Sequence, residues 1–278
     1  MGILIITIVI FLIYKNCFEN EDFLFLKIIG YFFLGIVRFV FNGFPIPLGY
    51  LIFIFFIKPK KNRRTKSLSV YLGIIVMVVS LLIPMISNLY FERERRVLVS
   101  EKNLNSINFY KEWSIVQATL DLPENTKLNS LKINYKGDGE ILKFEYELIT
   151  LADGNYKFYS TIFDPSQNVY ILKPKIVKQW IQYDKLVPAK KIFEVLDKLD
   201  VLENRPNGEY KSYGITSEGE YITYAIRDRQ KIFVSDSKLA QISDQELPIE
   251  GYWISTYGNI EMNENDTIGV EYIDYLFN

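Results

Sequence analysis

The chain has 278 residues, a net charge of −1, no histidine and one cysteine, Cys17. These counts exclude Ser-His-Asp and Cys-His catalysis, histidine-ligated zinc and an intrachain disulfide. The charge is split: residues 1–89 carry 9 Lys/Arg against 3 Asp/Glu, and residues 90–278 carry 23 against 30. That acidic second part argues against nucleic acid as a partner, because phosphate contacts need clustered Lys/Arg.

The first part reads as a membrane region. Residues 2–18 are expected to form an uncleaved helix. They lack the charged start of a signal peptide, and Tyr14-Lys15-Asn16 before Cys17 are not the small residues of a lipobox. Residues 23–57 are too long for one helix and contain Asn42-Gly-Phe-Pro-Ile-Pro47. Turn chemistry of that kind predicts two helices, 23–41 and 44–57. Arg38 is expected to snorkel from the end of the first. A loop at 58–67 follows, with Lys58, Lys60, Lys61, Arg63, Arg64 and Lys66 and no acid. The 22 residues Leu68–Leu89 are uncharged, long enough to cross a hydrocarbon core of about 30 Å. Beyond them Glu92-Arg-Glu-Arg-Arg96 is nearly balanced. The six basic residues therefore set the topology: 58–67 in the cytoplasm, residue 90 onward outside. The fold expected for 1–89 is a multi-pass helical membrane region. It has four helices, or three if 23–57 is one helix with a re-entrant bend, and its partner is the lipid bilayer.

Residues 90–104 read as a juxtamembrane linker, and 105–278 as an α+β extracytoplasmic domain. Period-2 alternation marks strands at Leu131–Tyr135, Ile141–Leu151, Tyr156–Phe163 and Val169–Leu172. Asp153-Gly154 is a hairpin signal. Ala189, Ile192, Phe193, Leu196 and Leu199 line one face of a helix over 188–202. Further strands are expected at Tyr210–Ile215, Tyr221–Ile226, Lys231–Val234, Tyr252–Thr256 and Val270–Leu276. Leu120-Asp-Leu-Pro-Glu-Asn125 matches Leu199-Asp-Val-Leu-Glu-Asn204, which puts Trp113, Val116 and Leu120 on a corresponding first helix at 107–120. Two readings follow: two copies of a helix plus three-stranded meander, or chance agreement of strand and turn preferences.

No motif carries a mechanism. Leu122-Pro-Glu-Asn-Thr126 resembles a sortase signal, but it lies mid-chain without a hydrophobic tail and reads as a helix-to-strand connector. Asn259–Asp266 offers oxygen ligands without the spacing of a calcium loop. Asn265-Asp-Thr267 matches a glycosylation sequon. No metal or cofactor is expected. Carboxylates remain as catalytic chemistry, with Asp121, Glu140, Glu145 and Glu220 as candidates for a pair. The reading is a membrane-anchored, non-enzymatic cell-envelope protein whose outer domain binds an envelope protein, a wall polymer or a ligand. The alternative is a membrane-tethered hydrolase of envelope polymer. The richness in Lys, Ile, Asn and Tyr suits an AT-rich Gram-positive bacterium.

Overall fold

The computed structural model describes residues 2–278 apart from 16, 18, 153, 200–202, 204, 236–237 and 263–266. It divides into two compact units, Met1–Tyr90 and Phe91–Asn278.

The first unit holds α1 (Gly2–Lys15), α2 (Leu24–Ile36), β1 (Phe39–Phe41), β2 (Phe44–Ile46), α3 (Leu48–Phe55) and α4 (Arg63–Phe91). Helix α2 lies against α4 where Gly35 meets Gly73. A Cβ on either glycine would run into the backbone of the other helix, the close approach that small residues permit. An ion pair fixes the start of α2. Lys66 Nζ donates to both oxygens of Glu21 at 2.8 and 2.7 Å, and Lys27 Nζ donates at 2.9 Å. Asn62 Nδ2 donates to the Glu19 carbonyl at 2.9 Å. The two lysines, Lys66 foremost, draw the Glu21 carboxyl from its usual 4.5 down to about 2. Lys66 is thus buried and matched by an acid, not a free member of the basic run.

The multi-pass helical region expected from the sequence does not form. With 14, 13 and 8 residues, α1, α2 and α3 measure about 21, 20 and 12 Å against a core of about 30 Å. Among the described residues, α4 alone is long and apolar enough to cross a membrane. The cause is local. Val37 turns extended and ends α2, and Asn42 and Gly43 both take positive φ, the conformation of a two-residue hairpin turn. The flanking residues pair as β1 and β2, Phe41 opposite Phe44. The turn at 42–47 was legible, but the apolar residues beside it form strands, which hydrophobicity alone does not distinguish from helix. The single 23–57 helix fails for the same reason.

The second unit holds β3 (Arg95–Leu98), α5 (Phe109–Leu120), β4 (Lys127–Tyr135), β5 (Ile141–Ala152), β6 (Asn155–Asp164), β7 (Val169–Val177), α6 (Ala189–Lys198), β8 (Ser212–Ser217), β9 (Ile222–Tyr224), β10 (Gln230–Ser235), β11 (Lys238–Gln241), β12 (Ile249–Met262) and β13 (Thr267–Phe277). All the strands join one 11-stranded sheet ordered β11-β10-β13-β12-β8-β4-β5-β6-β7-β3, with β9 paired to β12. Among the described residues, only β10 and β13 run parallel. The stretch 90–104 is not a plain linker, since β3 pairs with β7 along Arg95–Leu98.

Helices α5 and α6 cover one face. Trp113 stacks on Phe193 with ring centroids 5.6 Å apart, and Phe193 meets Tyr146 of β5 edge-on. Val116, Leu120, Ile192 and Leu196 are buried with Leu131, Ile133, Phe144 and Ile215 beneath them. The helices also lock end to side. Asp197 of α6 accepts from the backbone N–H groups of Phe109 and Tyr110 at 2.7 and 2.9 Å. These donors of the first turn have no partner inside α5, and the dipole there favours an acid. Asn108 caps the same end, its Oδ1 accepting from Lys111 N at 2.6 Å.

The duplication is overturned. Strands β4, β5 and β6 do form a meander after α5, but after α6 the order breaks. β8 lies between β4 and β12, β9 touches only β12, and β10 lies between β11 and β13. The reason is the length of β12. Its 14 residues reach β9 at Ile249–Gly251 and β8 at Ser255–Asn259 on one side, and β13 on the other. The second half extends the first sheet, and the domain is a single α+β fold.

Three measurements check this account. Leu196→Ala should lower unfolding free energy by about 2–5 kcal/mol, the range for large-to-small core changes. Asp197→Ala should cost about 0.5–2 kcal/mol, as loss of a helix cap does. Because folding lowers the pKa of Glu21, the pair's contribution is full above pH 4.5 and lost as pH falls toward about 2. Glu21→Gln should therefore flatten the melting-temperature profile across that acid window and lower the melting temperature at neutral pH.

Candidate functional site

The second unit carries a polar groove of about 700 Å³. It opens where α6 ends and the strands continue. Glu203, Arg205, Pro206 and Asn207 form one wall from the loop after α6. Asp228 and Arg229 come from the turn before β10, and Glu271, Tyr272, Ile273 and Tyr275 from β13.

Both arginines are held from behind. The Arg205 guanidinium lies over the Tyr213 ring at 4.3 Å, and its Nη1 donates to the Gly137 carbonyl at 2.8 Å. Arg229 lies over the Tyr272 ring at 4.2 Å, with Nη1 3.4 Å from Asp274 Oδ2. A guanidinium has five N–H donors in a rigid fork, and these contacts occupy one on each arginine. Tyr210 borders the same end: its hydroxyl bonds to Glu271, the main cause that lifts it to about 12.

Asp274 anchors the Arg229 side of the groove. It is fully buried and accepts from Tyr224 Oη and Ser255 Oγ, each at 2.5 Å. Burial, then the bond to Asp274, pushes the Tyr224 hydroxyl well above its ordinary value. Opposite Asp274 across the parallel pair β10–β13 stands Lys231, also buried, which meets Asp244 at 2.5 Å and donates to the Arg229 carbonyl at 2.8 Å. Tyr224, Ser255 and Asp274 are too buried to touch a ligand. Their role is to set Arg229, which is about a third exposed.

The residues singled out from the sequence lie elsewhere. Asp121 is the exposed left-handed cap of α5. Glu140 pairs with Lys136 at 2.5 Å and Glu145 with Lys143 at 2.8 Å. Glu220 bridges to Leu186. These four acids sit on separate elements and none lines the groove. Among the described residues, no group of three or more His, Cys, Asp or Glu could hold a metal ion. Asn259 of the acidic stretch is buried inside β12 and donates to Ser212 Oγ at 3.0 Å. Residues 263–266, with the first two of the sequon, lie outside the described residues. Leu122–Thr126 is the connector from α5 to β4, with Thr126 Oγ1 on the Pro123 carbonyl at 2.7 Å. Sequence reasoning passed over Arg205, Arg229 and Asp274. The available signal was a single acid in the apolar run Tyr272-Ile-Asp-Tyr-Leu276, since an acid inside a strand is seldom buried without partners.

Asp274→Ala should destabilise the domain by about 3–5 kcal/mol in denaturant titration, the cost of leaving a buried pair without one partner. Arg205→Ala, on the groove wall, should cost less than Asp274→Ala in the same titration.

No curated protein matches the chain, and no solved structure does. A family model described as an archaeal family matches residues 110–274, from the first turn of α5 to Asp274 itself. This overturns the Gram-positive bacterial source expected from composition. The match spans more than half of the sequence, and the chain belongs to this archaeal family.

Proposed function

We propose that the chain is a membrane-anchored cell-envelope protein whose folded domain lies outside the membrane and binds a polar partner or ligand in the Arg205–Arg229 groove. The observation that carries the anchor is α4. Its most apolar 18-residue stretch is only 22% buried. A core helix of a soluble protein would hide that surface, and a signal sequence would stand nearer the N-terminus. Lys58, Lys60, Lys61, Arg63 and Arg64 remain as the charged flank at one end, which favours that end in the cytoplasm. Lys66 contributes less, because Glu21 matches it.

The groove supports binding. Its guanidinium donors are fixed in advance, so little freedom is lost when a carboxylate, phosphate or hydroxyl docks. Paired-carboxylate hydrolysis needs two acids about 5–10 Å apart across a substrate, and the acids proposed for it are scattered.

Orientation is tested in a Cys17→Ser background with an impermeant maleimide on intact cells. A cysteine at Ser166 should label from outside and one at Lys60 only after lysis. The reverse pattern would refute the orientation. For binding, a photo-crosslinking residue at Asn207 on the groove rim should capture a discrete species. The Arg205→Ala/Arg229→Ala double variant should lose it while keeping its melting transition.

A further inference from the structure

The β1–β2 hairpin exposes Phe39, Phe41 and Phe44 at 54, 59 and 76%, with Val40 and Ile46 exposed beside them. No charged residue occurs from Phe39 to Ile57. A two-stranded ribbon is marginal in water on its own, and a contiguous apolar patch marks a surface meant to be covered.

Its place in the first unit indicates what covers it. Arg38, at the base of β1, has Nη1 3.5 Å from Ser80 Oγ of α4. Ser80 lies twelve residues into the uncharged run that begins at Leu68, about 18 Å along the helix. The hairpin base therefore stands beside the middle of the apolar surface of α4. Ile75, Val79, Leu82, Ile83 and Ile86 of that surface are exposed as well.

Phe41 and Phe44 flank the two-residue turn, and Val40 pairs with Pro45 next. In such a hairpin the closing pair exchanges hydrogen bonds and the next pair points its backbone outward. Proline has no N–H to leave unpaired there, so that pair turns one N–H outward, from Val40, and not two.

We propose that this hairpin is embedded in lipid: α2, the hairpin and α3 dip into the bilayer and return to the side of entry, with Phe39, Phe41 and Phe44 among acyl chains. The segment does not cross, because α2 and α3 are too short. The chain enters near Glu21, paired with Lys66, and leaves at Lys58, both toward the basic end of α4. The inference rests on α4 being the membrane anchor. Lipid is the occupant because the hairpin continues the exposed apolar surface of that helix.

The test uses the full chain with Cys17→Ser, reconstituted in vesicles of diphytanoyl phosphatidylcholine and phosphatidylglycerol. Nitroxide labels are placed singly at Phe44→Cys, Val79→Cys and Ser166→Cys. Collision with oxygen, which concentrates in lipid, is compared with collision with a water-soluble nickel chelate. Oxygen should dominate at 44 and 79 and nickel at 166. Nickel dominance at 44 with oxygen dominance at 79 overturns the hairpin inference alone. Nickel dominance at both overturns the anchor as well. A label at 44 shielded from both reagents means a protein covers the hairpin, which also overturns the proposal.

Discussion

An 11-stranded sheet has two broad faces, and this chain has two helices of 12 and 10 residues to cover one of them. Much else in the domain follows from that shortage. The helices act as one lid because Trp113 stacks on Phe193 and Asp197 satisfies the first turn of α5. Their apolar faces reach the centre of the sheet, where Leu128, Ile133, Leu148 and Ile215 are fully buried. Beyond the end of α6 at Lys198 the sheet runs on, through β13 and β10, with no α-helix among the described residues above it. The groove lies there. A smaller cluster of Tyr224, Ile242 and Leu276, packed with Phe233 and Trp253, forms on the opposite side of those strands. Polar side chains can therefore be exposed on one face while the same strands stay anchored from the other.

What was legible in the sequence was local. The spacing of Ile192, Phe193 and Leu196 marked one helix face, the match between the two segments pointed to a second through Trp113, Val116 and Leu120, and all six residues are buried. Alternation marked most strands of the domain to within a few residues. Strand order was not legible, because pairing depends on contacts between residues far apart in the chain. Nothing local distinguishes β8, which joins β4 to β12, from the first strand of a second meander. The length of β12 was missed for a related reason. Gly258 interrupts its alternation, yet the strand continues past it with shifts of register, and Tyr210 packs over the space that a side chain would fill.

The first unit shows the converse limit. Hydropathy marked every apolar residue between 2 and 57 correctly as apolar, but it carries no information on whether the backbone turns. Asn42 and Gly43 decide that, through two successive positive φ values, and they convert a stretch long enough for a helix into a hairpin. Glu21 is equally decisive at the other end of α2. By matching Lys66 it ties α2 to the start of α4. The charge count that favoured one orientation thus included a lysine already spent on tertiary structure.

The groove itself shows why a buried acid was hard to read as functional. An uncompensated carboxylate in a protein interior costs several kcal/mol, so Asp274 persists only with Tyr224, Ser255 and Arg229 about it. Tyr224 and Arg229 lie close in the chain, but Ser255 is more than twenty residues from either, and only Ser255 lies within twenty of Asp274. The guanidinium of Arg229 is tied at one nitrogen to Asp274 and flattened on Tyr272. Arg205 reaches the same state by a different route, with a neutral carbonyl in place of the acid and Tyr213 in place of Tyr272. The two donors are thus positioned independently, one by buried charge and one by the loop after α6, and a ligand spanning both would join the sheet to that loop.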